Sequence, residues 1–543
     1  MMGAFDNPSQ AANPRVAAAS VLKEFVDSPP SPQAQEALRQ HISPGELVLQ
    51  AAQTAAASVR GGKAELGENE ESEELQLVVK ALQKCLAYDG VLESIVREPH
   101  LRPVLLESAE SGSALLRRLL AQQIFKLTGQ ARTGVLLAAE AGLYQLLPGL
   151  LRDPDVGVAS DASKVILASL DGPEGVQLFT SEAFWQALTA AAASDNEMVK
   201  IRVLALFVEA GRKSEELFNS LLARGAFAQL LNAFMTDDLL LKISLISLIE
   251  QLASYPRGAN YIATSSIPLR LVGELADECL DDTSMVSLVY VIAEVIKQQP
   301  QLASEMFAAS NGLLPRTLEG LLSVSGATPQ EKNELCCAIA AWGSIAGSAP
   351  GYAAVSKAVP EFAAEMTAHF SGETEVANLA MDAWTNVLNA LSDPLGPEMT
   401  DFMGPLVEAA LKTHLSRPFG ESRVHSYPLL RALCRWKPAV RALFASEELR
   451  RTLVDPFSEE ASDAKYAKNA FLKKLVADHT EWLAALIDEG YLSKLKTFAD
   501  AGPFYVPAGK HPPATLRLLA CGSGVSLIAP SPVRCRYRPP CAV

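Results

Sequence analysis

Three stretches of this chain repeat one another at a fixed interval. Leu143-Tyr144-Gln145-Leu146-Leu147 leads to Asp153-Pro154-Asp155, Phe184-Trp185-Gln186-Ala187-Leu188 leads to Asp195, and Phe227-Ala228-Gln229-Leu230-Leu231 leads to Asp237-Asp238. Asp153, Asp195 and Asp237 stand 42 residues apart. After each aspartate comes a second amphipathic run, Val156 to Leu170, Met198 to Ala210 and Leu239 to Ala253. Apolar residues recur at intervals of three and four through most of the chain, and alternating β-branched runs are scarce, so the reading is all-helical. The unit is therefore a helix, an aspartate-bearing turn and a second helix. Aspartate suits such a turn because its carboxylate accepts backbone N–H groups at the next helix's N-terminus and sits at the positive end of the dipole.

One helix pair cannot cover its own apolar stripe, so neighbouring pairs must stack and share a core. A period near 42 falls in the range of HEAT and armadillo repeats, roughly 40 to 47 residues. The fold predicted is an all-α, armadillo/HEAT-like helical repeat solenoid, an α-α superhelix. Later units follow at looser spacing: Leu269 to Leu280 with Met285 to Ile296, Leu313 to Leu322 with Lys332 to Ala346, and Phe362 to Phe370 with Val376 to Leu391. Met399 to His414 with Tyr427 to Phe444, then Ala464 to Leu475 with Trp482 to Phe498, complete the array. Upstream, Leu75 to Leu86, Leu101 to Glu107 and Ala114 to Leu127 read as less regular repeats. The resulting division is an Ala-rich helical segment over 1–60, an acidic loop over 61–74, the repeat array over 75–507 and a disordered tail over 508–543.

The formal charge is −15, spread over most of the length, which argues against a phosphate-binding face and hence against nucleic acid as partner. Met1 to Val26 has no apolar core of the kind a secretory signal needs. Leu335 to Ser356 is free of charge but is rich in Ala, Gly and Ser and contains Pro350-Gly351, so it reads as a buried helix followed by a loop rather than a membrane span. The eight cysteines then read as small core residues in a reducing compartment, with a cytoplasmic location expected and the nucleus considered beside it. Six Glu between 65 and 74 read as a solvated loop. The stretch from His511 has no acid, six Pro, Arg517, Arg534, Arg536 and Arg538, and Cys521, Cys535 and Cys541, whose gaps match no zinc pattern.

Motifs for catalysis are missing. Gly62-Lys63 is followed by Ala64 and Gly509-Lys510 by His511, so neither makes a phosphate-gripping loop, and His-Glu-x-x-His, Cys-x-x-Cys and Gly-x-Ser-x-Gly do not occur. No enzyme activity, cofactor or metal is expected. His414 and His425, eleven apart around Pro418, read as part of a polar inter-helix loop, and Cys336-Cys337 as core. Phe184, Trp185 and Phe227 read as packing residues, as do Trp342, Trp384, Trp436 and Trp482. What remains is surface: stacked helix pairs present an extended concave face to partners, chiefly on second helices. Helical phase assigns Lys200, Arg202, Lys242, Ser244 and Glu250 to that face as partner-binding candidates, with Lys200 and Lys242 forming a basic ladder.

The run Met235 to Ala253 followed by Gly258 to Ala263 resembles the 26S proteasome non-ATPase regulatory subunit 5 family. So do Leu415-Ser416-Arg417-Pro418-Phe419, Asp463-Ala464-Lys465-Tyr466 and Gly502-Pro503-Phe504-Tyr505-Val506-Pro507, in the order that family shows. The resemblance runs loosely from about Leu75 to Pro507. It implies an assembly chaperone for the base of the proteasome regulatory particle, holding the C-terminal domain of one base AAA ATPase beside a second ATPase and the large base scaffold subunit. It also implies departure before the mature proteasome operates. The resemblance is not recognised in the first fifty residues or the Glu-rich insert, and the change of composition beyond Pro507 is what an altered reading frame or retained intron would produce. The competing reading is a generic armadillo-type adaptor for transport or scaffolding, which would need regularly placed Asn and Trp on inner helices; Asn196, Asn232 and Asn386 share no phase. A hydrolase or transferase with a divergent site is the third.

Overall fold

The structure is a computed structural model that describes residues 14–60, 72–129, 131–391 and 397–508. Most of the expected acidic loop (61–71) and nearly all of the expected tail (509–543, with Arg517 and Cys521) lie outside the described residues. Among the described residues all regular structure is helical, as the apolar periodicity requires, and no single helix is long and apolar enough to cross a membrane. The chain divides into two units, residues 1–318 and 319–543, and each is an armadillo/HEAT-like stack of helices.

In the first unit the long second helices Ala114–Thr128, Val156–Ser169, Glu197–Lys213, Leu239–Ala253 and Asp282–Gln298 pack successively on one another. Side chains on the turns start them. The Asp155 carboxylate accepts the N–H of Val158 at 2.9 Å, Asn196 those of Met198 and Val199 at 3.0 and 3.3 Å, Asp238 that of Leu241 at 3.0 Å, and Asp281 that of Ser284 at 2.9 Å. Each cap contributes about 1 kcal/mol by satisfying a donor that has no intrahelical partner. The caps are thus the residue one or two places after the aspartates that mark the period. Asp153 has another role, gripped by the Arg117 guanidinium at 2.5 and 2.9 Å.

The repeat holds three helices rather than the expected two. Pro173–Phe179, Glu215–Ala223 and Pro256–Thr264 each follow a long helix and return the chain toward the next repeat. Proline opens two of these because the first helical position needs no N–H. Gly175 and Gly258 follow two residues later because a Cβ there would strike the Ser169 and Leu252 carbonyls of the preceding helix.

In the second unit Pro329–Ala346, Thr374–Ala390, Gly420–Leu433 and Ser462–Leu486 stack in turn, and Glu489–Ala501 packs on the last. Gly343 lets the first two approach: a Cβ on it would lie 2.6 Å from that of Ala383. Several boundaries differ from expectation. Ser462–Leu486 continues through the gap expected after Leu475, and the break comes at Ile487-Asp488, where Asp488 caps the N–H of Tyr491 at 2.8 Å. Tyr427 to Phe444 is two helices parted before Pro438, and Pro350 opens a helix, Ala349–Ala358, instead of a loop.

The expected aromatic core is present: Phe184, Trp185, Phe227, Trp342, Trp384 and Trp436 are buried, with Trp482 half-buried. The cysteines correct the expectation. Cys85 and Cys434 are buried, but Cys336 and Cys337, on the Ala-rich helix Pro329–Ala346, are only half-buried, and Cys279, in the turn between Pro268–Glu274 and Asp282–Gln298, is exposed.

Candidate protein-interaction surfaces

Of the five residues assigned to a partner face, Lys242 is buried and Lys200, Arg202, Ser244 and Glu250 are half-buried. Lys242 is buried, its ammonium 2.9 Å from the Glu274 carboxylate and 3.3 Å from Asp277, and Glu274 also accepts from Arg270 at 2.8 Å. The Glu274 hydrogen bond, aided by the charges of both acids, raises the Lys242 pKa against the opposing effect of burial. Lys200, half-buried, pairs with Glu197 at 2.9 Å on its own helix. The basic ladder therefore does not exist: one rung is spent on the next repeat and the other on its neighbour. Helical phase misled because a second helix is flanked by helices on both sides, which widens its buried stripe past the apolar residues.

Arg202 donates to the carbonyls of Leu151 and Asp153 at 3.3 and 2.7 Å, binding the end of a first helix in the preceding repeat. Arg224 does the same to Thr180 at 2.7 Å, and in the second unit Arg435 reaches Leu388 and Leu391 at 2.6 and 2.9 Å. Cations thus satisfy carbonyls at helix C-termini one repeat away, where the dipole favours them. Ser244 donates to Leu240 in its own helix, and Glu250 accepts from Ser287 at 2.7 Å. Burial raises the Glu250 pKa more than that bond lowers it.

The histidine pair is also placed otherwise than expected. His414 ends the helix Pro397–Ser416 and is buried, while His425 lies on Gly420–Leu433 and contacts Asp382 at 2.8 Å. His414 belongs to a buried polar network. Its Nε2 meets an Arg423 N–H, so that nitrogen must accept and Nδ1–H donates to Ser426 Oγ at 2.8 Å. Burial, with Arg423 and Lys468 nearby, holds His414 well below the ordinary histidine range, hence neutral. Tyr427 donates to Glu459 at 2.6 Å, and Arg423 stands 3.9 Å from the same carboxylate. Lys468 donates to the carbonyls of Thr452 and Asp455, both at 2.7 Å, and to Ser458 Oγ at 2.8 Å, fastening the turn ahead of Ser462–Leu486; burial brings its pKa down to about 8. Among the described residues, no cluster of three or more His, Cys, Asp or Glu is placed to hold a metal ion.

Near that network each of the three C-terminal runs singled out in the sequence exposes an aromatic side chain, and two of them meet. Gly420 lies against Ala461, which sets Phe419 beside the start of Ser462–Leu486. On that helix Tyr466 meets Phe504 edge to face at 5.5 Å, with the Lys465 ammonium 5.6 Å from the Phe504 ring. The 502–507 segment is held down by Phe498 against Tyr505 at 5.1 Å and by Asn469, which donates to the carbonyls of Phe498 and Ala499. Phe419, Tyr466 and Phe504 are each more than half exposed, and the exposed acids Glu421, Glu460 and Asp463 stand among them in the sequence. Phe419, between Pro418 and Gly420, and Phe504, after Pro503, carry a signal of a ring without a core position, whereas Tyr466, inside the helix Ser462–Leu486, carries none.

Comparison with known proteins supplies a further finding. A profile of the family described as proteasome non-ATPase 26S subunit matches residues 48–514. The 26S proteasome non-ATPase regulatory subunit 5 of Bos taurus is 23% identical over 329 residues, which is 57% of this chain and 62% of that protein, so the match spans about three fifths of the relative's length. A crystal structure of an engineered protein aligns with a TM-score of 0.43 and 18% identity, covering 76% of this chain and 98% of that one.

Proposed function

We propose, since this chain belongs to the proteasome non-ATPase 26S subunit family, that it is an assembly chaperone for the base of the proteasome regulatory particle. It holds the C-terminal domain of a base AAA ATPase, within a module containing a second ATPase and the large base scaffold subunit, and leaves before the finished particle operates. The observation that carries the reading is the family match itself, which spans helical repeats of both units. The mechanism is occlusion by binding in the cytoplasm, without catalysis or cofactor: while the chaperone covers the ATPase, docking onto the proteolytic core is blocked. The exposed rings of Phe419, Tyr466 and Phe504 are suited to such a contact, since aromatic side chains supply large contact area at small entropic cost and anchor interfaces.

Co-purification of tagged protein from cell extract tests the proposal. Base ATPases are expected in the eluate without the proteolytic core; recovery of intact 26S particles, or of no ATPase, would overturn it. Purified full-length protein with Tyr466→Ala and Phe504→Ala together should bind the captured ATPase at least tenfold more weakly.

A further inference from the structure

We propose that the edge of the 1–318 unit carrying Val156, Met198 and Leu240 is a docking track for a lysine- and arginine-rich amphipathic helix of a partner protein. The three residues stand 42 apart and are 64%, 56% and 77% exposed. Each occupies the first or second position of a second helix, one or two residues after the side chain that caps it. Scattered exposed apolar residues need no explanation, but here the same repeat position is apolar and uncovered three times in succession. Capping does not require this, since the caps act through the side chains of Asp155, Asn196 and Asp238 and leave these positions free of any packing role.

Charge fixes the kind of occupant. The turns that present Met198 and Leu240 carry exposed Asp195, Asp237 and Asp238, the turn before Val156 has half-buried Asp155, and the turn after the last rung adds exposed Asp281 and Asp282. Cations along the edge are mostly engaged already: Arg118 with Asp161 at 3.2 Å and Lys200 with Glu197 at 2.9 Å, leaving exposed Arg152 at the far end. A second copy of this chain would bring the same acids against these, so a basic partner is required. Spacing fixes its form. The helices bearing the rungs pack on one another, which sets successive rungs roughly 10 Å apart. An α-helix returns one face every seven residues, about 10.5 Å along its axis. Apolar side chains at i, i+7 and i+14 of a partner helix therefore meet all three rungs, with lysine or arginine on the flanks facing the aspartates. This inference does not depend on the proteasome reading, since it concerns a different surface.

The test uses full-length protein and a labelled synthetic peptide of about 16 residues, with leucine at i, i+7 and i+14 in an alanine and lysine background. A second peptide has every lysine replaced by glutamate. The lysine peptide is expected to bind, with affinity falling as salt rises, and the glutamate peptide to bind at least tenfold more weakly. Val156→Ser, Met198→Ser and Leu240→Ser combined should weaken binding at least tenfold at an unchanged melting temperature, and Asp195→Asn with Asp237→Asn should flatten the salt dependence. Tyr466→Ala should leave this binding unaltered. No binding, equal binding of both peptides, or affinity indifferent to the triple substitution would overturn the proposal.

Discussion

In residues 1–318 the stacked second helices begin at 114, 156, 197, 239 and 282, so a position on one repeat foretells its counterpart on the next; in residues 319–543 the stacked helices begin at 329, 374, 420 and 462, at less even intervals. The regular unit covers its helices mainly with aliphatic residues and fastens repeats through cation-to-carbonyl contacts and through the Arg117–Asp153 and Lys242–Glu274 ion pairs. The looser unit has longer turns to hold, and it buries His414, Arg423, Glu459 and Lys468 to hold them. Regularity thus leaves equivalent surface positions in rows, whereas irregularity leaves exposed aromatics at positions with no counterpart on the next repeat.

The sharpest way to break this comparison is to charge the shared core of the regular unit. Leu245 is fully buried between repeats. Leu245→Asp places an ionised group there with no partner and should cost more than about 5 kcal/mol, enough to prevent cooperative folding of that unit. Circular dichroism melting would check it, and an unchanged curve would mean the helices are not stacked as described. Next in size, Arg423→Met in the looser unit removes the guanidinium that faces the buried Glu459 carboxylate and donates to His414, and should cost about 3–5 kcal/mol. Lys242→Met in the regular unit should cost less, because Arg270 still pairs with Glu274.

The third prediction separates the units by pH. The folded Lys468 pKa, about 8, lies below its unfolded value of 10.5. Between these values the unfolded chain keeps the proton and the folded chain has lost it, so unfolding takes up a proton and stability rises with pH. Below about 8 the full cost of burying the ammonium is present, and the rise across the window amounts to about 3 kcal/mol. Cys434, Tyr427 and Tyr491, raised by burial, act in the opposite direction, since each keeps a proton in the folded state that the unfolded chain gives up. The measurement is therefore the difference between wild type and Lys468→Met in denaturant midpoints from pH 7 to 10.5. Wild type should gain on the variant as pH rises; parallel curves would mean that Lys468 is not buried as a cation.

These cases show what the sequence made legible. The 42-residue period survived into three dimensions because Asp155 and Asp238 cap helices through their own side chains, a local effect that needs no tertiary information. The third helix of each repeat was hidden because Pro173 and Pro256 read equally well as breaks and as helix starts, and only the contact of Gly175 and Gly258 with a preceding carbonyl decides. Lys242 was misplaced for a different reason. Its periodicity is that of a surface residue, and its burial depends on Glu274 and Asp277 arriving from 32 and 35 residues away. The residues of the C-terminal runs were identified by resemblance, yet their exposure and the meeting of Tyr466 with Phe504 required the chain to fold back at Gly502.

The smallest expected effect distinguishes packing from display. Phe504→Ala removes an edge-to-face contact with Tyr466 and a cation contact with Lys465, pairs that contribute about 0.5–1.5 kcal/mol at most and less where the rings are exposed. Leu240→Ser in the regular unit removes nothing that is packed, and surface changes of this kind fall within about 0.5 kcal/mol. Both variants should therefore melt within a few degrees of wild type, Phe504→Ala slightly the lower of the two. If either fell as far as Arg423→Met, the side chain would be a structural element and its row or patch would no longer count as free surface. If both hold their stability, each can be altered without disturbing the fold, and a change in partner binding can then be assigned to the rows of the 1–318 unit or to the patch of the 319–543 unit separately.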